Sequence, residues 1–289
     1  MTGLGMGNKE RLVFVKLGGS VITDKTKPET ARPQVISRLA EEIAVALSAR
    51  PDLRLVLGHG SGSFGHSVAL RHGTHLGVHS PAGWRGFAEV AAVAARLNRL
   101  VADALLAAGV PAWSIQPSAS AGCRDGELLS LDTNAIEEAL AHGLVPLLYG
   151  DVALDEIRGG TIISTEQIFA YLAHRLPVPV WHGTDQPARL IMVGQVDGVF
   201  DSDPLRDPAA QLIPEITGQN WAQIRTLLGG SHAADVTGGM LTKVEAMVLL
   251  VRELPGLTVH LLSGLRPGAL ESTLRDPTSA NGGTVIHSV

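Results

Sequence analysis

Three stretches of the 289-residue chain combine clustered glycines with a basic side chain, the composition of an anion-binding loop. The first is Lys16-Leu17-Gly18-Gly19-Ser20, followed by Thr23-Asp24-Lys25. A glycine pair lets backbone N–H groups approach a phosphate closely, and Lys16 and Lys25 bring two ammonium groups to one loop. The same residues also suit a plain strand-to-helix turn with Lys25 in solvent. The second is Gly58-His59-Gly60-Ser61-Gly62-Ser63-Phe64-Gly65-His66, four glycines in eight residues and then a histidine. If His66 opens a helix, its imidazolium and the helix N-terminus both favour a phosphate there. The third is Asp235-Val236-Thr237-Gly238-Gly239-Met240, with Lys243 one turn further on. It reads either as a nucleotide-phosphate clamp or as a helix start capped by Thr237. Gly150-Asp151 adds a carboxylate at a strand end, suited to orienting lysines or simply to a turn.

Neither the G-x-x-x-x-G-K-[ST] nor the G-x-G-x-x-G pattern is present, which argues against a P-loop and against a dinucleotide-dependent dehydrogenase. His59, His72, His75 and His79 match no compact zinc spacing and no cysteine joins them, so no metal ligand is expected among them.

The elements that must hold these loops are legible as an alternation of strands and helices. Strands are expected at 12–17, 53–58, 144–149, 188–193 and 257–262, several of them ending in glycine turns. Helices are expected at 33–50, 87–108, 166–176, 243–253 and near 267–274, and a hairpin at 155–165. This order predicts an α/β fold, a mostly parallel sheet flanked by helices on both faces. Ligands of such folds gather at the carboxyl ends of the strands, where the glycine loops fall.

Composition narrows the function classes. At 45% hydrophobic residues the chain can bury a large core. A net charge of −5 without a basic block argues against a nucleic-acid surface. Apolar runs are interrupted well before about 18 residues, so no membrane span is expected. Residues 1–10 read as a tail rather than a signal peptide, and the single cysteine, Cys123, excludes an internal disulfide; a cytoplasmic setting fits both.

Taken in order, K-x-G-G-S with a later T-D-K, then H-G-x-G-S-F-G-H, G-D, V-D-G-V and D-V-T-G-G-M-x-x-K resemble the amino acid kinase superfamily over residues 12–265. Within it, Ser63–His66 and Asp235–Met240 are most similar to the isopentenyl phosphate kinases. The resemblance implies a three-layer sandwich, with an acceptor lobe over 1–160 and a nucleotide lobe over 161–289. It also implies a homodimer and phosphorylation of isopentenyl phosphate to isopentenyl diphosphate by ATP with Mg²⁺. Carried over, Lys16 and Lys25 hold the transferring phosphoryl group and Asp151 orders the lysines. His66 binds the acceptor phosphate beside Gly60, Gly65 and Gly150. Gly18, Gly19, Ser20, Asp197, Gly238, Gly239 and Lys243 lie on the nucleotide side.

Two positions depart from the pattern: Ser164-Thr165-Glu166 stands where the family often has S-G-D, and Gly194-Gln195 where it usually has T-D. Alternative readings are a kinase of this fold acting on a phosphonate or carboxylate, and a non-catalytic nucleotide-binding regulator. The latter predicts loss of the lysines, and all three are present.

Overall fold

Alternate residues of the first strand, β1 (Arg11–Leu17), go to opposite faces: Val13, Val15 and Leu17 join one buried apolar cluster, Leu12 and Phe14 another. A strand covered on both faces has to sit inside a helix–sheet–helix sandwich. The computed structural model describes residues 11–176, 188–230, 239–276 and 282–288 and shows that arrangement.

β1 pairs in parallel with β2 (Leu53–His59) on one side and with β9 (Arg189–Gly194) on the other. Outward from β2 come β6 (Val145–Tyr149) and β3 (Ala112–Ser114), both parallel. Outward from β9 come parallel β13 (Thr258–Ser263), antiparallel β14 (Thr284–Ile286) and short β12 (Glu215–Ile216). The result is a mostly parallel eight-stranded sheet.

One face is covered by α2 (Pro33–Ala49), α3 (Gly62–His72), α4 (Pro81–Ala107) and α9 (Ala269–Arg275). The other is covered by α5 (Asn134–Ala141), α6 (Thr165–Arg175), α7 (Trp221–Gly230) and α8 (Met240–Glu253). The turn α1 (Gly19–Ile22) follows β1 directly. A smaller sheet, ordered β5 (Glu127–Ser130), β4 (Gly122–Arg124), β7 (Asp151–Asp155) and β8 (Gly159–Ile163), lies beyond the ends of β6 and α5. A two-residue pair, β10 (Val199–Phe200) with β11 (Leu212–Ile213), completes the described strands.

The expected strands and helices are all present within a few residues. The exception in extent is α4, which begins six residues before the expected position 87. Ser80 caps it by accepting the Gly83 N–H at 3.1 Å, and Pro81 fits its first position. Gly83 and Gly86 interrupt the apolar period there, and Gly86 is needed because a Cβ would come within 2.4 Å of the His72 ring. The hairpin is β7–β8, running from 151 to 163 rather than 155 to 165.

Candidate active site

Parallel pairing brings the strand ends to one edge of the sheet. Leu17 stands opposite both His59 and Val193, and His59 opposite Tyr149. The segments that follow β1, β2, β6, β9 and β13 therefore emerge side by side.

The first two glycine loops touch. The Gly18 N–H donates to the Val193 carbonyl at 2.8 Å, and the Gly60 N–H to the Leu17 carbonyl at 3.0 Å. A Cβ on Gly19 would lie 2.4 Å from the Gly62 nitrogen, so only glycine permits this approach. Gly62 has φ +49°, and a Cβ there would meet the Thr23 hydroxyl at 2.2 Å. That hydroxyl donates to the Gly19 carbonyl at 2.6 Å and accepts from the Ser63 N–H at 3.0 Å, tying the two loops together. Ser20, in α1, is half-buried beside them.

Lys16 is buried at the end of β1, 9% exposed, and its ammonium is ion-paired and hydrogen-bonded to Glu166 in the first turn of α6. Burial drives the Lys16 pKa below its ordinary value, Glu166 opposes the fall, and the charge of Lys243 adds to it. Burial resists ionisation of Glu166, yet Lys16 and then Lys243 hold its carboxyl below the usual range. Lys243, exposed in the first turn of α8, therefore acts electrostatically on both members of the pair. Gly239 is the N-cap of α8; Gly238 and Asp235–Thr237 lie outside the described residues.

Glu166 was not expected as a site residue, because the sequence marked it only as a departure from S-G-D. Its placement has a local signal. Ser164 accepts from the Gln167 N–H at 3.1 Å and Gln167 accepts from the Ser164 N–H at 2.9 Å, a capping box that starts α6 at Thr165. Thr165 sits at the first helical position without a positive φ, a backbone conformation open to any side chain. Its hydroxyl donates to the His59 carbonyl at 2.7 Å.

Asp151, 1% exposed, is engaged differently from the lysine-ordering role expected of it. Its carboxylate accepts from the Ser118 N–H at 3.2 Å and from its own neighbour Val152 at 2.9 Å, and burial raises its pKa. The carboxylate on Lys16 is that of Glu166. Gly150 donates to the His59 carbonyl at 3.1 Å, so the start of β7 is fixed against the second glycine loop.

The remaining expected residues range from exposed to buried. Lys25 is exposed on a turn closed by the Thr23–Ala31 bridge. His66 is exposed one turn into α3, because the helix begins at Gly62 rather than at His66. Gly65 packs on Ser61: a Cβ would lie 2.3 Å from its hydroxyl. Asp197 lies beyond β9, half-buried, 3.5 Å from the Arg266 guanidinium. The Gln195 carbonyl accepts from the Ser263 hydroxyl at 2.9 Å, joining the ends of β9 and β13.

Touching glycine loops beside two lysines, Lys16 held by Glu166 and Lys243 acting on both, are equipped to hold phosphoryl oxygens through backbone N–H groups and ammonium charge. The amino acid kinase family model matches residues 11–263. The chain is 34% identical over 270 residues to an isopentenyl phosphate kinase of Methanothermobacter thermautotrophicus, spanning 91% of this chain and 95% of that protein. It is 39% identical over 242 residues to that of Haloferax volcanii, spanning 83% and 88%. A solved isopentenyl phosphate kinase superposes with a TM-score of 0.76 at 30% identity, covering 96% of this chain and all of the other. Since the match takes in β1 through β13, and with them the lysine pair and both glycine loops, the chain belongs to the amino acid kinase family.

Proposed function

We propose that the protein transfers the γ-phosphoryl group of ATP to the phosphate of isopentenyl phosphate, giving isopentenyl diphosphate and ADP. The observation that carries this reading is the buried Lys16–Glu166 pair, under the field of Lys243, where the loops of β1 and β2 touch. Relatives named isopentenyl phosphate kinase at 30–39% identity favour this acceptor over a phosphonate or a carboxylate.

An acceptor phosphate oxygen is already anionic near neutral pH, so it attacks the γ-phosphorus without a general base while ADP leaves. Catalysis then consists of holding two polyanions in line against their repulsion. Lys16 and Lys25 serve the transferring group, with Glu166 holding Lys16 in place and Asp151 shaping the strand end beside it. Lys243, Gly238, Gly239, Asp197, Gly18, Gly19 and Ser20 serve the nucleotide. His66, with Gly60, Gly65 and Gly150, receives the acceptor phosphate. On this reading residues 1–160 form the acceptor lobe and 161–289 the nucleotide lobe.

Mg²⁺ belongs to the same reading. On this reading the ion is carried mainly by ATP phosphate oxygens. When bound, it supplies further charge neutralisation. A homodimer is supported by Leu100 and Leu106 of α4 and Trp113 of edge strand β3, all exposed on adjacent elements. Among the described residues no helix is long and apolar enough to cross a membrane; a cytoplasmic location is part of the proposal.

The test is ADP release with isopentenyl phosphate, dimethylallyl phosphate, fosfomycin and carbamate as acceptors. The highest kcat/KM is expected with isopentenyl phosphate; a preference for fosfomycin or carbamate would overturn the assignment.

A further inference from the structure

Beneath the turn at Gly60–Gly62 lies an imidazole that none of the roles above uses. His59, the last residue of β2, is fully buried. Its Nδ1 is 3.2 Å from the Gly60 carbonyl oxygen and its Nε2 3.2 Å from Asn98 Oδ1. Asn98, 5% exposed on α4, is in turn hydrogen-bonded to the Ser114 hydroxyl. The ring stacks on Tyr149 at the end of β6, centroids 5.7 Å apart and planes 10° from parallel. The backbone carbonyl of His59 accepts from both Gly150 and Thr165, so the residue is held from several sides.

Burial brings the His59 pKa down to about 4 against the pull of its hydrogen bonds to Gly60 and Asn98, with a smaller push from the charge of Lys16. The ring is therefore neutral near pH 7 and carries one N–H. Two oxygens facing its two nitrogens cannot both be satisfied. Exchanging the oxygen and nitrogen of the Asn98 amide satisfies every group. Nδ1–H then donates to the Gly60 carbonyl, Nε2 accepts from the Asn98 NH₂, and Asn98 Oδ1 accepts from the Ser114 hydroxyl. The other tautomer sets the Nδ1 lone pair against the Gly60 oxygen.

From this juxtaposition we infer that His59 is a positioning residue that locks the Gly60–Ser61 peptide, holding the Gly60 carbonyl against its ring so that the Ser61 N–H faces the acceptor phosphate. In a trans peptide the two groups point in opposite directions, and among the described residues no peptide bond is cis. A glycine at position 60 leaves its peptide freer to turn over than any other residue type would, and a flipped peptide presents a carbonyl oxygen to a dianion. A neutral donor seated under the glycine is what prevents the flip.

The inference rests on the proposed kinase activity only for its kinetic arm. Two variants separate the two ring nitrogens: His59→Asn keeps a donor where Nδ1 lies, and His59→Gln keeps one where Nε2 lies. Both lose the ring and its stacking on Tyr149, so their melting temperatures should fall together. The Asn variant is expected to keep the wild-type KM for isopentenyl phosphate, and the Gln variant to raise it about tenfold, the worth of one hydrogen bond to a charged group. The KM for ATP should not distinguish them. Equal acceptor KM values in the two variants, or the reverse order, would overturn the lock. Nitrogen NMR of the wild-type ring tests the lock a second time, without substrate: an Nδ1–H tautomer is expected, and Nε2–H would overturn the inference. If the wild type fails to use isopentenyl phosphate, the kinase reading falls while the tautomer still decides the lock.

Discussion

Lys16 and Glu166 are 150 residues apart in the chain and meet as a buried pair. Lys16 was legible because a lysine that ends an apolar strand before two glycines has a physical reason to be there. Glu166 was not, because a partnership across the sheet leaves no periodic or local trace; only the Ser164–Gln167 capping box, which fixes where α6 begins, hinted at its place. The pair has a consequence for pH dependence. Burial already lowers the Lys16 pKa, and Glu166 is the group that resists this. Glu166→Gln removes the resisting charge, so the ammonium should deprotonate at lower pH still. If the charged form of Lys16 supports phosphoryl transfer, the alkaline limb of the kcat profile must move to lower pH. At neutral pH kcat should fall by about 10- to 100-fold, the range for losing a charged hydrogen bond. Profiles of kcat against pH for the two proteins check this, and superimposed alkaline limbs would show that Glu166 does not keep Lys16 charged.

At the scale of elements, the site depends on two strand-to-helix connections approaching closer than any side chain allows. A Cβ on Gly19 would sit 2.4 Å from the Gly62 backbone nitrogen, and Gly62 cannot yield easily because its φ of +49° and the Thr23 hydrogen bonds hold it. Gly19→Ala should therefore push the loops apart. Displacements of about 1 Å can cost on the order of a hundredfold in rate, and a loss of that size in kcat/KM is expected. Gly73→Ala is the control: that residue has φ +64° with nothing within 4 Å of an added Cβ. It should lower stability by about 1–2 kcal/mol through backbone strain and leave kcat/KM intact. Equal kinetics in the two variants would sink the argument from close approach. The same contrast explains how much of the fold could be read beforehand. Long apolar periods and strands ending in glycine revealed five of the eight strands of the central sheet, β1, β2, β6, β9 and β13, and most of its helices. Of the smaller sheet only the β7–β8 hairpin was legible, since β4 and β5 have only three and four residues, too few to establish a period. The early start of α4 was hidden because Gly83 and Gly86 serve packing and capping rather than helix propensity.

At the scale of the molecule, the two lobes proposed for acceptor and nucleotide need not be two folding units. Strands β1, β2, β6 and β3 make one half of the large sheet and β9, β13, β14 and β12 the other, joined where Val13–Leu17 pair with Arg189–Val193. The seam is reinforced away from the sheet. Glu42 of α2 accepts from the Gly268, Leu270 and Glu271 N–H groups at 3.0, 3.1 and 3.3 Å, which caps α9 from the other half of the chain. Arg38 pairs with Glu42 and donates to the Gly264 carbonyl, beside the end of β13. Severing β1 from β9 would expose two apolar faces at once, because both strands are covered on both sides. Calorimetry should therefore give one cooperative transition, and isopentenyl phosphate and a non-hydrolysable ATP analogue should each raise that same transition. At a hundred times Kd each ligand adds about 2.7 kcal/mol, which is several degrees for a protein of this size. Glu42→Ala should lower the single transition, with the lost carboxylate bonds costing about 2–3 kcal/mol, and should not split it. Two transitions in the wild type, each moved by only one ligand, would show instead that the seam is weak and that the lobes fold separately.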